Sequence, residues 1–240
     1  IPNSKKKVIE DFVQLRAPLG ITPKVIDPSF LYVDVTSKVL YNPNVTTKSD
    51  SEIETVVSAA INTHATDTIN DFNSKLRLSK LSAAIDAADA SILNSENTIL
   101  LQKKFTPTLN ASGNHTLDFV NEIYREIPDS SSLFADGSAP VSSTTFVFAG
   151  LTGCSLRDNG EGKLQVVQQE SSVLNIVSND IGTVDYTNGM VTISKFLVSS
   201  FTGDAICVSI NPVSKTLKSN KNIILSYNKT PSITIQQERI

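Results

Sequence analysis

At 240 residues and 40% hydrophobic content, the chain is long enough to bury a full core in one or two domains and too apolar to be disordered throughout. Its formal net charge of −3, with Lys5-Lys6-Lys7 as the one basic run, excludes the basic stripe of a nucleic-acid-binding module. No apolar stretch reaches the roughly 18 residues that a membrane-spanning helix needs, and no signal-peptide pattern opens the chain.

The pattern predicts a helix over Ser4–Arg16, capped by Ser4, with Val8, Ile9, Phe12, Val13 and Leu15 on its apolar face. Pro18, Gly20 and Pro23 end it and begin an extended connection. Such a short amphipathic helix is marginal alone and must dock on something. Ile1 stands where a complete chain would start with Met, so a longer protein is expected, with this chain as its C-terminal part.

Ser29 to Tyr41 reads as a strand with Leu31, Val33, Val35, Ser37 and Val39 on one face. A helix is predicted from Asp50 to about Asn70. Ser49 and Glu52 form its capping box, and Ile53, Val56, Val57, Ala60, Ile61, His64, Thr68 and Ile69 recur at helical spacing. A second, alanine-rich helix follows, capped by Ser79, with Leu81, Ala84, Ile85 and Ala88 inward. From Ser91 the chain is extended, and Ile99, Leu101 and Lys103 alternate with Leu100, Gln102 and Lys104.

After Pro107 the signals are β. Phe146–Phe148, Leu164–Val167, Val173–Val177 and Ile206–Ile210 read as short strands. Asn188-Gly189 fits a type I′ hairpin turn that would pair Tyr186 with Val191 and Val184 with Ile193. Ile223–Leu225 and Ile233–Ile235 are two further strands. Completing the local sheet is the preferred role for them, and adding to another chain is the alternative.

The expected fold is therefore α+β: a strand-helix-helix-strand layer unit followed by a β-rich, sandwich- or barrel-like domain. Its expected divisions are 1–27 (helix and linker), 28–106 (α+β), 107–211 (β-rich) and 212–240 (C-terminal strands or arm).

Chemistry is sparse. His64 lies on an apolar helix stripe and reads as a packed histidine; His115 falls in a turn-rich segment, so no ligand set for zinc forms. Asp67 with Asp71, and Asp86 with Asp89, are spaced to share helix faces, where polar helix ends are the plainer explanation. Ser155 lacks a nucleophile elbow, Cys154 lacks a base, and Cys207 reads as core. Two cysteines are too few for a disulfide framework and fit cytosolic assembly. The triplets at Asn44, Asn114 and Asn228 match the glycosylation pattern by chance in an Asn- and Thr-rich chain. No catalytic, cofactor-binding or metal-binding residue is assigned, no cofactor is expected, and the chain is not expected to be an enzyme.

One stretch carries a family resemblance. The order YVDVTSKVLYNP, a helix opened by SDSEIE, the block FNSKLRLSKLSAAIDAADASI and a strand ending QKKF resembles the baseplate-J-like family of contractile-tail phage baseplate wedge proteins. Within that family it is most similar to the gene-product-six type of T-even-type phages. Phe72, Asn73, Leu76, Arg77, Ser79, Leu81, Ile85, Asp86, Asp89, Ser91 and Ile92 are the positions that carry it. The resemblance implies a virion structural protein, assembled in the host cytoplasm, which forms a homodimer, binds other wedge proteins and joins wedges into the baseplate ring. The alternative is a carbohydrate- or receptor-binding β-domain of a phage tail protein. It is weakened by 6% aromatic content and the absence of tryptophan. A hydrolase using Ser155, Cys154 or an acidic pair rests on single residues.

Overall fold

A computed structural model describes residues 2–125, 139–170, 173–227 and 230–239. Asn228 and Lys229 of the third glycosylation triplet lie outside the described residues, as do 126–138 within the expected β-rich span. The first half of the chain runs α1 (Asn3–Gln14), β1 (Ser29–Tyr41), α2 (Asp50–Thr68), β2 (Lys75–Arg77), α3 (Leu78–Asp86) and β3 (Ile92–Phe105). Strands alone follow: β4 (Gly113–Asp118), β5 (Val141–Ser143), β6 (Phe146–Phe148), β7 (Leu151–Asp158), β8 (Lys163–Glu170), β9 (Val173–Asp185) and β10 (Met190–Phe196). The last are β11 (Val198–Phe201), β12 (Ile206–Ile210), β13 (Thr216–Lys218), β14 (Ile223–Tyr227) and β15 (Ser232–Gln237).

The fold is α+β and β-rich. One mixed sheet of 13 strands has the main order β14-β1-β3-β12-β5-β7-β8-β9-β10-β4. β1 pairs antiparallel with β3 and parallel with both β14 and β15, which follow one another along its outer edge. The C-terminal strands thus complete the local sheet. A short strand that the sequence pattern did not show, β2, separates the two helices and pairs with β13, placing Leu76 opposite Leu217 with both fully buried. The strands after residue 107 continue the sheet of β1 and β3 through the β3–β12 pair, so one hydrophobic core runs through both parts.

Local chemistry explains the elements. On β1, Leu31, Val33, Val35, Ser37 and Val39 are all buried, in the period of two that a strand imposes. Helix α2 starts at the capping box: Ser49 accepts from the Glu52 N–H, and the Glu52 carboxylate accepts the Ser49 N–H at 2.7 Å. It buries Ile53, Val57, Ile61 and Ala65, a strict i, i+4 stripe, while Thr68 stays exposed. Neither Ser4 nor Ser79 caps its helix. Ser4 lies inside α1 behind Pro2, and Ser79 lies inside α3 behind Arg77, because Leu78 is drawn into the core and starts the helix early.

The β9–β10 hairpin also departs from the expected register. Met190 pairs with Asp185 and Val191 with Val184, leaving a four-residue turn of Tyr186–Gly189. Asp185 holds this turn by accepting the Asn188 N–H at 3.0 Å and its amide at 2.7 Å. Gly189 alone takes positive φ, at 67°, where a type I′ turn needs two such residues. Any β-carbon on Gly189 would come within 2.2 Å of the Asn121 carbonyl oxygen. The shift is two residues, so Val184, Val191 and Ile193 still face the core.

Candidate functional site

The residues singled out for chemistry are dispersed by the fold. His64 Nδ1 lies 3.1 Å from the Tyr227 hydroxyl and 3.1 Å from the Thr68 hydroxyl, and burial holds its pKa below the ordinary value. His115 is not in a turn; it sits on β4 with its ring centroid 4.6 Å from that of Phe105. Neither aspartate pair shares a helix face, because α2 stops at Thr68 and α3 at Asp86. Asp71 instead accepts the Phe72 N–H at 2.7 Å. Asp86 accepts the Ser95 hydroxyl at 2.6 Å.

Asp89 is a structural pin. It pairs with Lys48 and accepts both the N–H and the hydroxyl of Ser91, which together depress its pKa to about 2. Cys154 is buried and bonds the Leu151 carbonyl at 3.4 Å; burial pushes its thiol pKa up, opposite to what a nucleophile needs. Cys207 is raised by the same cause. Ser155 stands in the β7–β8 ladder opposite Val167. Among the described residues, no three of His, Cys, Asp and Glu gather in a way that could hold a metal ion.

A polar cluster escaped the sequence pattern. Asp158 is fully buried and accepts the Val141 N–H at 3.0 Å, the Gly160 N–H at 3.2 Å and the Tyr186 hydroxyl at 2.8 Å. It ties β5, β7 and the β9–β10 turn together. Burial first, and then Asp158, push the Tyr186 phenol pKa up. Its one sequence signal is Asp158-Asn159-Gly160, an ordinary turn triplet.

Surfaces offer more than side-chain clusters do. Helix α1 buries none of its residues, and Val8 is 68% exposed and Phe12 57%. Among the described residues it is held by the segment that follows: Lys6 pairs with Asp27, Glu10 accepts the Val25 N–H at 2.8 Å, and the Gln14 amide donates to the Ile21 carbonyl at 3.2 Å. The apolar stripe is left uncovered, which is the usual mark of a docking surface. A second open feature is the outer edge of β15, which no other described strand pairs; that of β14 is met by the Asn70 N–H, which donates to the Leu225 carbonyl at 2.8 Å, and by a bridge between Phe72 and Ile224.

The positions that carry the resemblance have structural work in this frame. Leu76, Leu81, Ile85, Ser91 and Ile92 are buried, and Asn73 takes a positive φ of 55° that a small polar side chain tolerates. Arg77 forms the N-terminal cap position of α3, and Asp86 and Asp89 make the bonds given above.

Comparison with curated protein sequences finds no match for the chain. Residues 29–104 match the family described as baseplate structural protein gp6, C-terminal domain III, and the match spans β1 through β3 almost to its end. It covers the stretch on which the sequence resemblance was drawn. Residues 29–104 are thus similar to a domain of a phage baseplate structural protein.

Proposed function

We propose that the chain is a structural subunit of a contractile-tail baseplate wedge of the T-even type, which self-associates as a homodimer and joins neighbouring wedges into the baseplate ring. The observation that carries this is the gp6 match over residues 29–104. Two features support it: the uncovered apolar stripe of α1 and the outer edge of β15, which no other described strand pairs. Residues 28–106 then form the baseplate domain, 107–211 a β-rich domain, 1–27 a docking arm and 212–240 a C-terminal strand pair. Assembly takes place in the host cytoplasm, and the role is scaffolding without catalysis.

A stable homodimer buries on the order of 1,200–2,000 Å² in total, and α1 alone offers a stripe of apolar side chains toward that area. Light scattering on the chain across a concentration series is the test. The expected result is a dimer whose dissociation shifts to higher concentration when residues 2–14 are removed. A monomer persisting into the high micromolar range would overturn self-association through these residues. A dimer indifferent to the truncation would move the interface off α1.

A further inference from the structure

The curved sheet brings β4 back toward β1 and β3, and between them lies a cavity of about 540 Å³. That volume falls within the roughly 300–1,000 Å³ of small-ligand pockets. Its wall includes Lys103, Lys104, His115, Phe30, Tyr32 and Phe105. Among the described residues no Asp or Glu lines it, although the whole chain carries a net charge of −3.

Lys103 is the unusual member. It is in phase with Ile99 and Leu101 on the inward face of β3 and is only 7% exposed. One of its three N–H groups reaches the Ser29 hydroxyl at 3.0 Å, leaving two for another acceptor. No described carboxylate is in ion-pair contact with it, and burial lowers its pKa, with Asp118 opposing from farther away. A buried ammonium with no carboxylate in ion-pair contact is costly. On the other face of the β1–β3 pair Lys104 Nζ stands 4.6 Å above the Tyr32 ring, while His115, whose ring packs on Phe105, has its Nε2 buried without a hydrogen-bond partner.

An oxyanion would complete this site, and its surroundings favour carboxylate over phosphate. Among the described residues that line the cavity, none is an arginine and none belongs to a helix, so neither an arginine fork nor a helix N-terminus is there to hold phosphate. The Phe105 ring, on the same face of β3 as Lys103, instead offers an apolar wall for a methylene stem. We propose that the cavity receives an acidic side chain from a neighbouring chain of the baseplate, with its carboxylate on Lys103 and its stem along the aromatic wall. The choice of occupant rests on the assembly reading above; the carboxylate chemistry stands on the cavity alone.

The test uses the full chain with 13C-labelled lysine, titrated at constant ionic strength. The probes are N-acetyl-glutamate α-amide, N-acetyl-glutamine α-amide and inorganic phosphate. Lys103→Met assigns the Lys103 signal and removes a lone buried charge, so it is expected to fold, as its denaturation curve will show. The expected result is a saturable shift of the Lys103 signal with the glutamate probe, with the other two weaker by about tenfold or more. No saturable shift with the glutamate probe, or an equal response to glutamine, would overturn the site. Tighter binding of phosphate would overturn the carboxylate assignment. If Lys103→Met lost the probe yet bound its wedge partners as tightly as the parent chain, the neighbour's side chain would be overturned as occupant. Light scattering on the same samples reports the assembly reading separately, so the two can fail independently.

Discussion

Helices α1 and α2 carry the same kind of apolar repeat and meet opposite environments. In α2, Ile53, Val57 and Ile61 lie almost wholly out of solvent, packed with α3 and against β14 and β15. In α1, the equally apolar Val8, Ile9, Phe12 and Val13 remain exposed. An amphipathic stripe therefore states that a helix will cover something, and leaves open whether the cover is the same molecule. α2 also carries a capping box, while α1 has no side-chain cap and is secured by a few polar contacts to the segment behind it. One helix belongs to the fold; the other is offered by it.

The largest expected effect lies on the buried side of this contrast. Ile53→Ala should cost about 2–5 kcal/mol, because the fully buried side chain leaves a cavity, and urea denaturation would read it as a lower midpoint at unchanged slope. A loss within the scatter of surface substitutions would mean that α2 is not anchored as described. Ser49→Ala should cost about 0.5–2 kcal/mol by opening the capping box, with the early amides of α2 gaining hydrogen exchange before the rest of the helix.

A smaller effect is set by pH. The folded-state pKa of Asp89 is depressed from 3.8 to about 2, so its contribution is present above the ordinary value and is lost as pH falls through the folded one. Asp89→Asn should flatten the stability curve between those limits, and an unchanged acid limb in denaturation midpoints would show that the Lys48 and Ser91 contacts contribute nothing. The smallest effect on stability is expected on α1. Phe12→Ala should leave the denaturation midpoint within about 0.5 kcal/mol of the parent while weakening self-association in light scattering. Destabilisation comparable to Ile53→Ala would make the arm part of the core and erase the contrast.

Much of the α+β region was legible in the sequence because its signals are local. The capping box at Ser49 and Glu52, the alternation of β1 and the extended run ending at Phe105 each depend on residues a few positions apart. The misplaced features depend on distant partners. Strand β2 exists because β13, about 140 residues later, pairs with it. The β9–β10 register is set by Asp185 inside the turn and by the Asn121 backbone pressed against Gly189. His115 reads as part of a turn-rich segment, since nothing nearby in sequence shows that Phe105 will lie against its ring.

The cavity divides in the same way. Lys103 falling in step with Ile99 and Leu101 is visible in the sequence, as a cation in an apolar alternation. That its ammonium would be buried beside Ser29 in a cavity also lined by Phe105 and His115, with no Asp or Glu among the described lining residues, was decided when the sheet brought β4 back toward β1 and β3. Periodicity, caps and the family-bearing block near Phe72 thus lay in the chain itself, because they are properties of neighbours along it. Which surfaces close on each other, which stripe stays uncovered and where a lone charge is enclosed come only from tertiary structure, because burial is a property of the assembled sheet and not of any segment in it.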